Sequence, residues 1–350
     1  MSKLSKVALG AVGVALGLTF LHAWLNLGFD PLRKLGLRQA VAEEVRFKVG
    51  FLPVTCHLTC PVTDWINKNT VGKGFYEPVR FNGFPELKEA FISGNMPATF
   101  MLAPMAIVLR EQGVKVKIVY LGHRDGSALM VRKESDIHSM EDLRGKRVAV
   151  PNRFSNQYLM INKALKDRGM SSTDINLVEM PPPDMPAALY AKAVDAIISG
   201  EPFMAQTELD GYGRVLYQAK ELWPNFISCV LVVDEQFIAQ HPEQIQRLVT
   251  GIAKSGLWLD KSMDHRMKAA TVVAENYYNQ NPRLLRFVLS KPPDRVTYTK
   301  LKLVKQDFEQ IADLAVEAGV LKRRIPFEEY ADTRFSENTT GTGPYPWEAP

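Results

Sequence analysis

The most apolar stretch of the chain comes first. Between Lys6 and Asp30 runs a segment without formal charge, Val7 to Phe29, rich in Ala, Val, Leu and Gly. As a helix, about 23 residues suffice to cross a hydrocarbon core of roughly 30 Å. Its end, His22-Ala23-Trp24-Leu25-Asn26, lacks the small-residue cleavage pattern of a signal peptide. Residues 1–30 therefore read as an uncleaved anchor in preference to a cleaved signal, with 31–44 as a linker and the bulk of the chain exported. Trp24 suits a membrane interface. Lys3 and Lys6 precede the run while Arg33, Lys34 and Arg38 follow it, so charge leaves its orientation open. Gly13 and Gly17 have small-xxx-small spacing, although glycine is common in such segments.

From Val45 the pattern switches to alternation: Val45, Phe47, Val49 and Phe51 apolar, Arg46 and Lys48 polar. That period predicts a half-buried strand, ended by a turn at Pro53. A helix is expected over 86–92, then the apolar run Thr99–Leu109, and a strand from Val114 to Tyr120. Further strands are expected over 147–150, 175–178, 194–199 and 226–233, with helices over 155–166 and 185–192. Ser155 is a plausible helix N-cap and Gly169 a stop. Pro242 opens a helix with Ile245, Leu248, Val249 and Ile252 on one face. The chain is helical in pattern from there to about Glu329. Strands alternating with helices indicate an α/β fold with mostly parallel sheets. The order suggests two lobes, 45–132 with 234–334 and 133–233, hinged near 131–133 and 220–222. Residues 335–350, with three prolines and two glycines, read as a flexible tail.

Composition narrows the function. The 350 residues are 46% hydrophobic and 23% charged, which is globular usage. The net charge of +5 is spread out, with no basic cluster interleaved with aromatics, so a nucleic-acid partner is not expected. Three cysteines are too few for a disulfide framework. There is neither a Walker A loop nor a G-x-S-x-G elbow. In open α/β sheets, ligands sit beyond the carboxyl ends of strands, where helix N-termini present donors.

The turns after the strands carry a resemblance. Met101-Leu102-Ala103-Pro104-Met105, the run Asp142 to Pro151, Pro181-Pro182-Pro183-Asp184-Met185 and Gly200-Glu201-Pro202-Phe203 occur in that order. With His241-Pro242 and Gly256-Leu257-Trp258-Leu259-Asp260, they resemble the solute-binding proteins of nitrate/sulfonate/taurine-type ABC importers over roughly 45–275. The nearest branch looks like the nitrate and bicarbonate receptors. The resemblance implies a two-lobed periplasmic-binding-protein fold of type II that closes on a small polar or anionic solute. Its partners would be a membrane permease and a cytoplasmic ATPase, and no catalytic residue or cofactor is expected.

Carried over by position, the resemblance implies ligand-facing residues at Thr55, Cys56, His57, Phe84, Pro104, Ser155, Asn156, Gln157 and Glu201. Four of them also have another reading: Ser155 as a cap, Phe84 as core, Pro104 as a backbone shaper, Glu201 as a cation ligand or a cap for a neighbouring turn. Two departures count against a bare anion such as nitrate. The cationic side chain of nitrate-type receptors just before the position of Cys229 is replaced by Phe226-Ile227-Ser228. The histidine at the start of the second lobe's helix is replaced by Asn156 or Gln157.

Cys56-His57-Leu58-Thr59-Cys60 lies on the first strand-to-helix turn. On a helix this spacing puts both sulfurs on one face. A local disulfide or plain structural thiols is the simpler reading; a metal held by Cys56, His57 and Cys60, with His123 or Glu201 as a fourth donor, is a second, and direct solute contact by free thiols a third. Cys229, in an apolar strand, reads as core. His123 is split between ligand contact and solvent exposure, and His138 and His265 read as surface. Two other functions stay open: a membrane-tethered sensor or accessory subunit, and an enzyme like the thiamine-pyrimidine synthases, which share the fold.

Overall fold

The computed structural model describes residues 46–340, with Gly13, Gly17–Thr19 and His22 before them, each of these helical. The anchor over 1–30 otherwise lies outside the described residues, as do the linker over 31–44 and the tail from 341. Among the described residues no helix is long and apolar enough to cross a membrane.

Among the described residues, eleven strands build two sheets. In chain order they are β1 Phe47–Phe51, β2 Tyr76–Arg80, β3 Ala98–Met101, β4 Val116–Asp125, β5 Ser127–Arg132, β6 Arg147–Val150, β7 Asn176–Glu179, β8 Ala196–Gly200, β9 Gly213–Gln218, β10 Ile227–Asp234 and β11 Val296–Thr297. The first sheet runs β11-β4-β10-β3-β1-β2 and the second β7-β6-β8-β5-β9. β1 pairs in parallel with β2 and β3, and β6 with β7 and β8. β10 and β5 run antiparallel to their neighbours. Helices that follow strands include α1 Thr59–Val71, α2 Phe84–Ile92, α3 Ala103–Glu111, α4 Asn156–Lys166, α5 Met185–Tyr190 and α6 Phe203–Leu209.

Local chemistry explains most of these boundaries. The run Thr99–Leu109 splits at Leu102 into β3 and α3, because Pro104 lacks an N–H and its fixed φ suits a first helical turn. Helix α2 starts at Phe84, two residues before the expected start, with Gly83 as its N-cap. Helix α5 stops at Tyr190, and Lys192 follows it in the left-handed region. The helix Pro242–Lys261 buries Ile245, Leu248, Val249 and Ile252, the face its spacing predicts.

Two expectations need correction. Strand β4 passes directly into β5 through Gly126 (φ +65°), where a Cβ would meet the His123 ring at 2.5 Å. The chain therefore changes sheets at Gly126, not at 131–133, and returns between Gln218 and Ile227. As a result β5 belongs to the second sheet and β10 to the first. The flexible-tail reading fails at its start: Thr333–Glu337 is helical and Phe335 is packed in the main core. The prolines and glycines that suggested a tail all lie beyond 340.

Candidate functional site

The carboxyl ends of β1, β3, β6 and β8 converge on one gap between the sheets. β10 runs the other way, with Met101 opposite Val230, so its first residues Ser228 and Cys229 come alongside the end of β3. The first sheet's side supplies Val54, Cys56, Phe84 and Leu102 to the wall of this gap, and the second sheet's supplies Pro151, Gln157, Pro182 and Gly200. Ser199, Ser228 and Cys229 complete it around a cavity of about 20 Å³, room for about one water. No Lys or Arg is among its lining residues. A wider hollow of about 250 Å³ lies between Met105 and Leu109 of α3 and Asn152 and Phe154 before α4.

The turn after β1 is held from several directions. The Leu52 amide donates to His57 Nδ1 at 2.7 Å. The Tyr278 and Tyr298 hydroxyls donate to the Val54 and Thr55 carbonyls at 2.7 and 2.9 Å. The Thr55 amide donates to the Glu201 carbonyl at 2.9 Å, which ties the two sheets together. Strand β4 passes so close that a Cβ on Gly122 would lie 2.2 Å from the Cys56 carbonyl oxygen.

Several of the expected ligand residues are already engaged by the protein. Ser155 caps α4: its hydroxyl accepts from the Tyr158 amide at 3.1 Å and donates to the Asn152 carbonyl at 2.7 Å. Thr55 Oγ1 meets His123 Nε2 at 2.8 Å. Pro104 shapes the start of α3, and Leu102 before it forms the wall. Glu201 is engaged as a strut. Its Oε1 accepts from Arg295 Nη1 at 2.7 Å and its Oε2 from the Ala205 amide at 2.8 Å, while Arg295 Nη2 also reaches Glu208 at 2.8 Å. Burial pushes the Glu201 carboxyl up, and Arg295 opposes that shift.

Other groups near the gap keep polar atoms to spare. Asn156 Nδ2 donates to the Ile227 carbonyl at 2.6 Å and Gln157 Nε2 to Ser127 Oγ at 2.9 Å. Their side-chain oxygens, together with His57 Nε2 and His123 Nδ1, are buried without a hydrogen-bond partner. Such groups are rare in folded proteins and point to something they serve. His123 is fully buried, which rules out the solvent-exposed reading, and burial lowers its pKa to about 4. Phe84 lies edge-on to the His57 ring at 6.0 Å. His138 is exposed as expected; His265 is half-buried and stacks on Trp258.

The cysteines pair differently from the expectation. Cys56 Sγ lies 2.7 Å from Cys229 Sγ, and a His57 ring nitrogen is within 4.8 Å of both. Cys60 is apart from them, buried beside Tyr76 and Asp64, with its thiol pushed up by burial. The expected face of Cys56 and Cys60 assumed one continuous helix. Cys56 instead sits in a 3-10 turn, Thr55–His57, before α1 begins at Thr59. Cys229 carried no sequence signal beyond its residue type, and neither did Ser199 or Ser228 in the wall. The His57 tautomer bears on metal binding: the Leu52 amide occupies the Nδ1 lone pair, so the ring proton sits on Nε2. A ligating imidazole has the reverse arrangement, donating from one nitrogen and binding through the other.

The sequence pattern of the NMT1-like family matches residues 40–274. The chain is 29% identical over 183 residues to the taurine-binding periplasmic protein of Escherichia coli K12, which covers 51% of this chain and 54% of that one. It spans about half the length of the curated relatives it matches. Its fold is similar to the zinc-bound ligand-binding component of an ABC-type import system from Staphylococcus aureus, with TM-score 0.75 and 22% identity over 84% of this chain and 98% of that one. It is also similar to the periplasmic nitrate-binding protein NrtA of Synechocystis PCC 6803, with TM-score 0.76 and 13% identity over 85% and 88%. The two-sheet architecture is thus that of the periplasmic binding proteins.

Proposed function

Because the chain belongs to the NMT1-like family, we propose that it is an extracytoplasmic solute-binding protein of an ABC importer, tethered to the membrane by an uncleaved helix within residues 1–30. The observation that carries this reading is the set of unpartnered buried polar atoms near the gap: His57 Nε2, beside the wall residue Cys56, and Asn156 Oδ1 and Gln157 Oε1 at the start of α4. Unpaired buried groups are costly, and a solute that pairs them recovers that cost only when the sheets are together. Closure about Gly126 and the segment between Gln218 and Ile227 would then follow binding, and a permease with its ATPase would receive the solute.

The wall favours a small polar solute over a bare inorganic anion. Its polar lining is the amide Gln157 and the serines Ser199 and Ser228, and Arg295 is neutralised by Glu201 and Glu208. Native mass spectrometry of the full-length chain, purified without denaturation, tests the reading. A bound small organic adduct that Gln157→Ala and Asn156→Ala release is expected. Turnover of such an adduct by the chain alone, or binding untouched by both substitutions, would overturn it.

A further inference from the structure

Two buried sulfurs in the cavity wall have no part in that reading. Cys56 and Cys229 are 173 positions apart in the chain, yet their Sγ atoms are 2.7 Å from one another. That is well inside the contact distance of two non-bonded sulfurs and within a short movement of an S–S bond of about 2.05 Å. Cys60, the neighbour in sequence, is buried elsewhere. The His57 ring lies beside the pair with its proton on Nε2 and no partner for it. A metal beside the pair would need a free imidazole lone pair, and the one on Nδ1 already accepts from the Leu52 amide.

We propose that Cys56 and Cys229 form a dithiol–disulfide pair in the wall of the gap between the sheets, a covalent site for small external disulfides. The Cys56 thiolate attacks one sulfur of the external disulfide, forms a mixed disulfide and expels one thiolate. Cys229 then gives up its proton and attacks Cys56 Sγ, which closes the internal S–S bond and expels the second thiolate. Two protein thiols are oxidised and one external disulfide is reduced, and the two cysteine protons pass to the two leaving thiolates. The roles follow from the surroundings. Burial opposes ionisation of Cys56, but the contact with Cys229 and the His57 and His123 rings hold its thiol well below the ordinary value. Burial and the same contact push Cys229 well up. Cys56 lies next to His57 on the turn after β1, whereas Cys229 is held within strand β10, and that placement makes Cys56 the attacking sulfur and Cys229 the resolving one, the arrangement of a redox-responsive pair. Both sulfurs line the cavity, so a reagent reaches them when the sheets part, and oxidation changes the wall.

The test needs no knowledge of the solute. The reduced full-length chain is equilibrated with glutathione disulfide, or with the smaller cystamine, then denatured, treated with N-ethylmaleimide and mapped by peptide mass. One maleimide, on Cys60, and a Cys56–Cys229 cross-link are expected, with three maleimides after reduction. Cys60→Ser should form the same bond. Cys229→Ser should instead hold the external thiol on Cys56 as a trapped mixed disulfide. Three maleimides with both oxidants, a Cys56–Cys60 bond, or a retained metal that blocks alkylation would each overturn the proposal. None of these outcomes depends on whether a solute adduct is found, so the two readings fail separately.

Discussion

A neutral imidazole enclosed beside Thr55 and Tyr298 makes stability depend on pH in a defined direction. Burial takes His123 from 6.5 in the unfolded chain to about 4 in the folded one. Between those values the unfolded state holds a proton that the native state does not, so stability falls as pH falls. The contribution is intact above pH 6.5 and its loss approaches roughly 3 kcal/mol near pH 4. Urea unfolding from pH 7.5 to 4 should show this slope in the parent and a correspondingly flatter curve in His123→Gln; parallel curves would refute it. Nothing local announced this burial. Gly122-His123-Arg124-Asp125-Gly126 looks like a loop, yet it ends a strand and crosses between the sheets. Ser155 was legible for the opposite reason, since its capping partner lies three residues away.

Elements meet at the 53–57 turn, and there the packing leaves little slack. Gly122→Ala would set a Cβ against the backbone oxygen of Cys56, and backbone cannot rotate away as a side chain can. A destabilisation of about 1–3 kcal/mol is expected, read by urea unfolding; a stability equal to the parent's would show that the turn has freedom the geometry denies. The Glu201–Arg295–Glu208 group fixes β8 and α6 against the segment before β11. Arg295→Met leaves the Glu201 carboxylate buried without its cation, at a cost of about 3–5 kcal/mol. Adding Glu201→Leu should recover most of that loss, because the stranded charge goes with it. If the double variant is no better than the single, the charge is not what destabilises the single variant.

At the scale of the whole molecule, hydrogen bonds from Thr55 to Glu201 and from Asn156 to Ile227 and Ser228 hold the sheets together. If the sheets part about Gly126, Asn156→Ala shifts the balance toward the open form. Small-angle scattering should then report a larger radius of gyration than for the parent under the same conditions. An unchanged radius would place the control of closure elsewhere. The expected hinge at 131–133 was displaced because alternating apolar residues mark a strand without saying which sheet takes it. Only Gly126 stands between β4 and β5, and it and Asp125 before it are both left-handed.

What the sequence by itself determined is what near neighbours along the chain decide. The alternation of β1, the break at Pro104, the cap at Ser155 and the buried face of 242–261 each depend on residues a few positions apart. The α/β class and the location of the gap at the strand ends follow from the order of those elements. The tertiary structure alone decided the pairing of Cys56 with Cys229 across 173 positions, the engagement of Glu201 by Arg295 across 94, and the burial of His123. Such contacts arise when distant strands are laid side by side, and no spacing rule in one chain encodes which partners the sheet order will bring together.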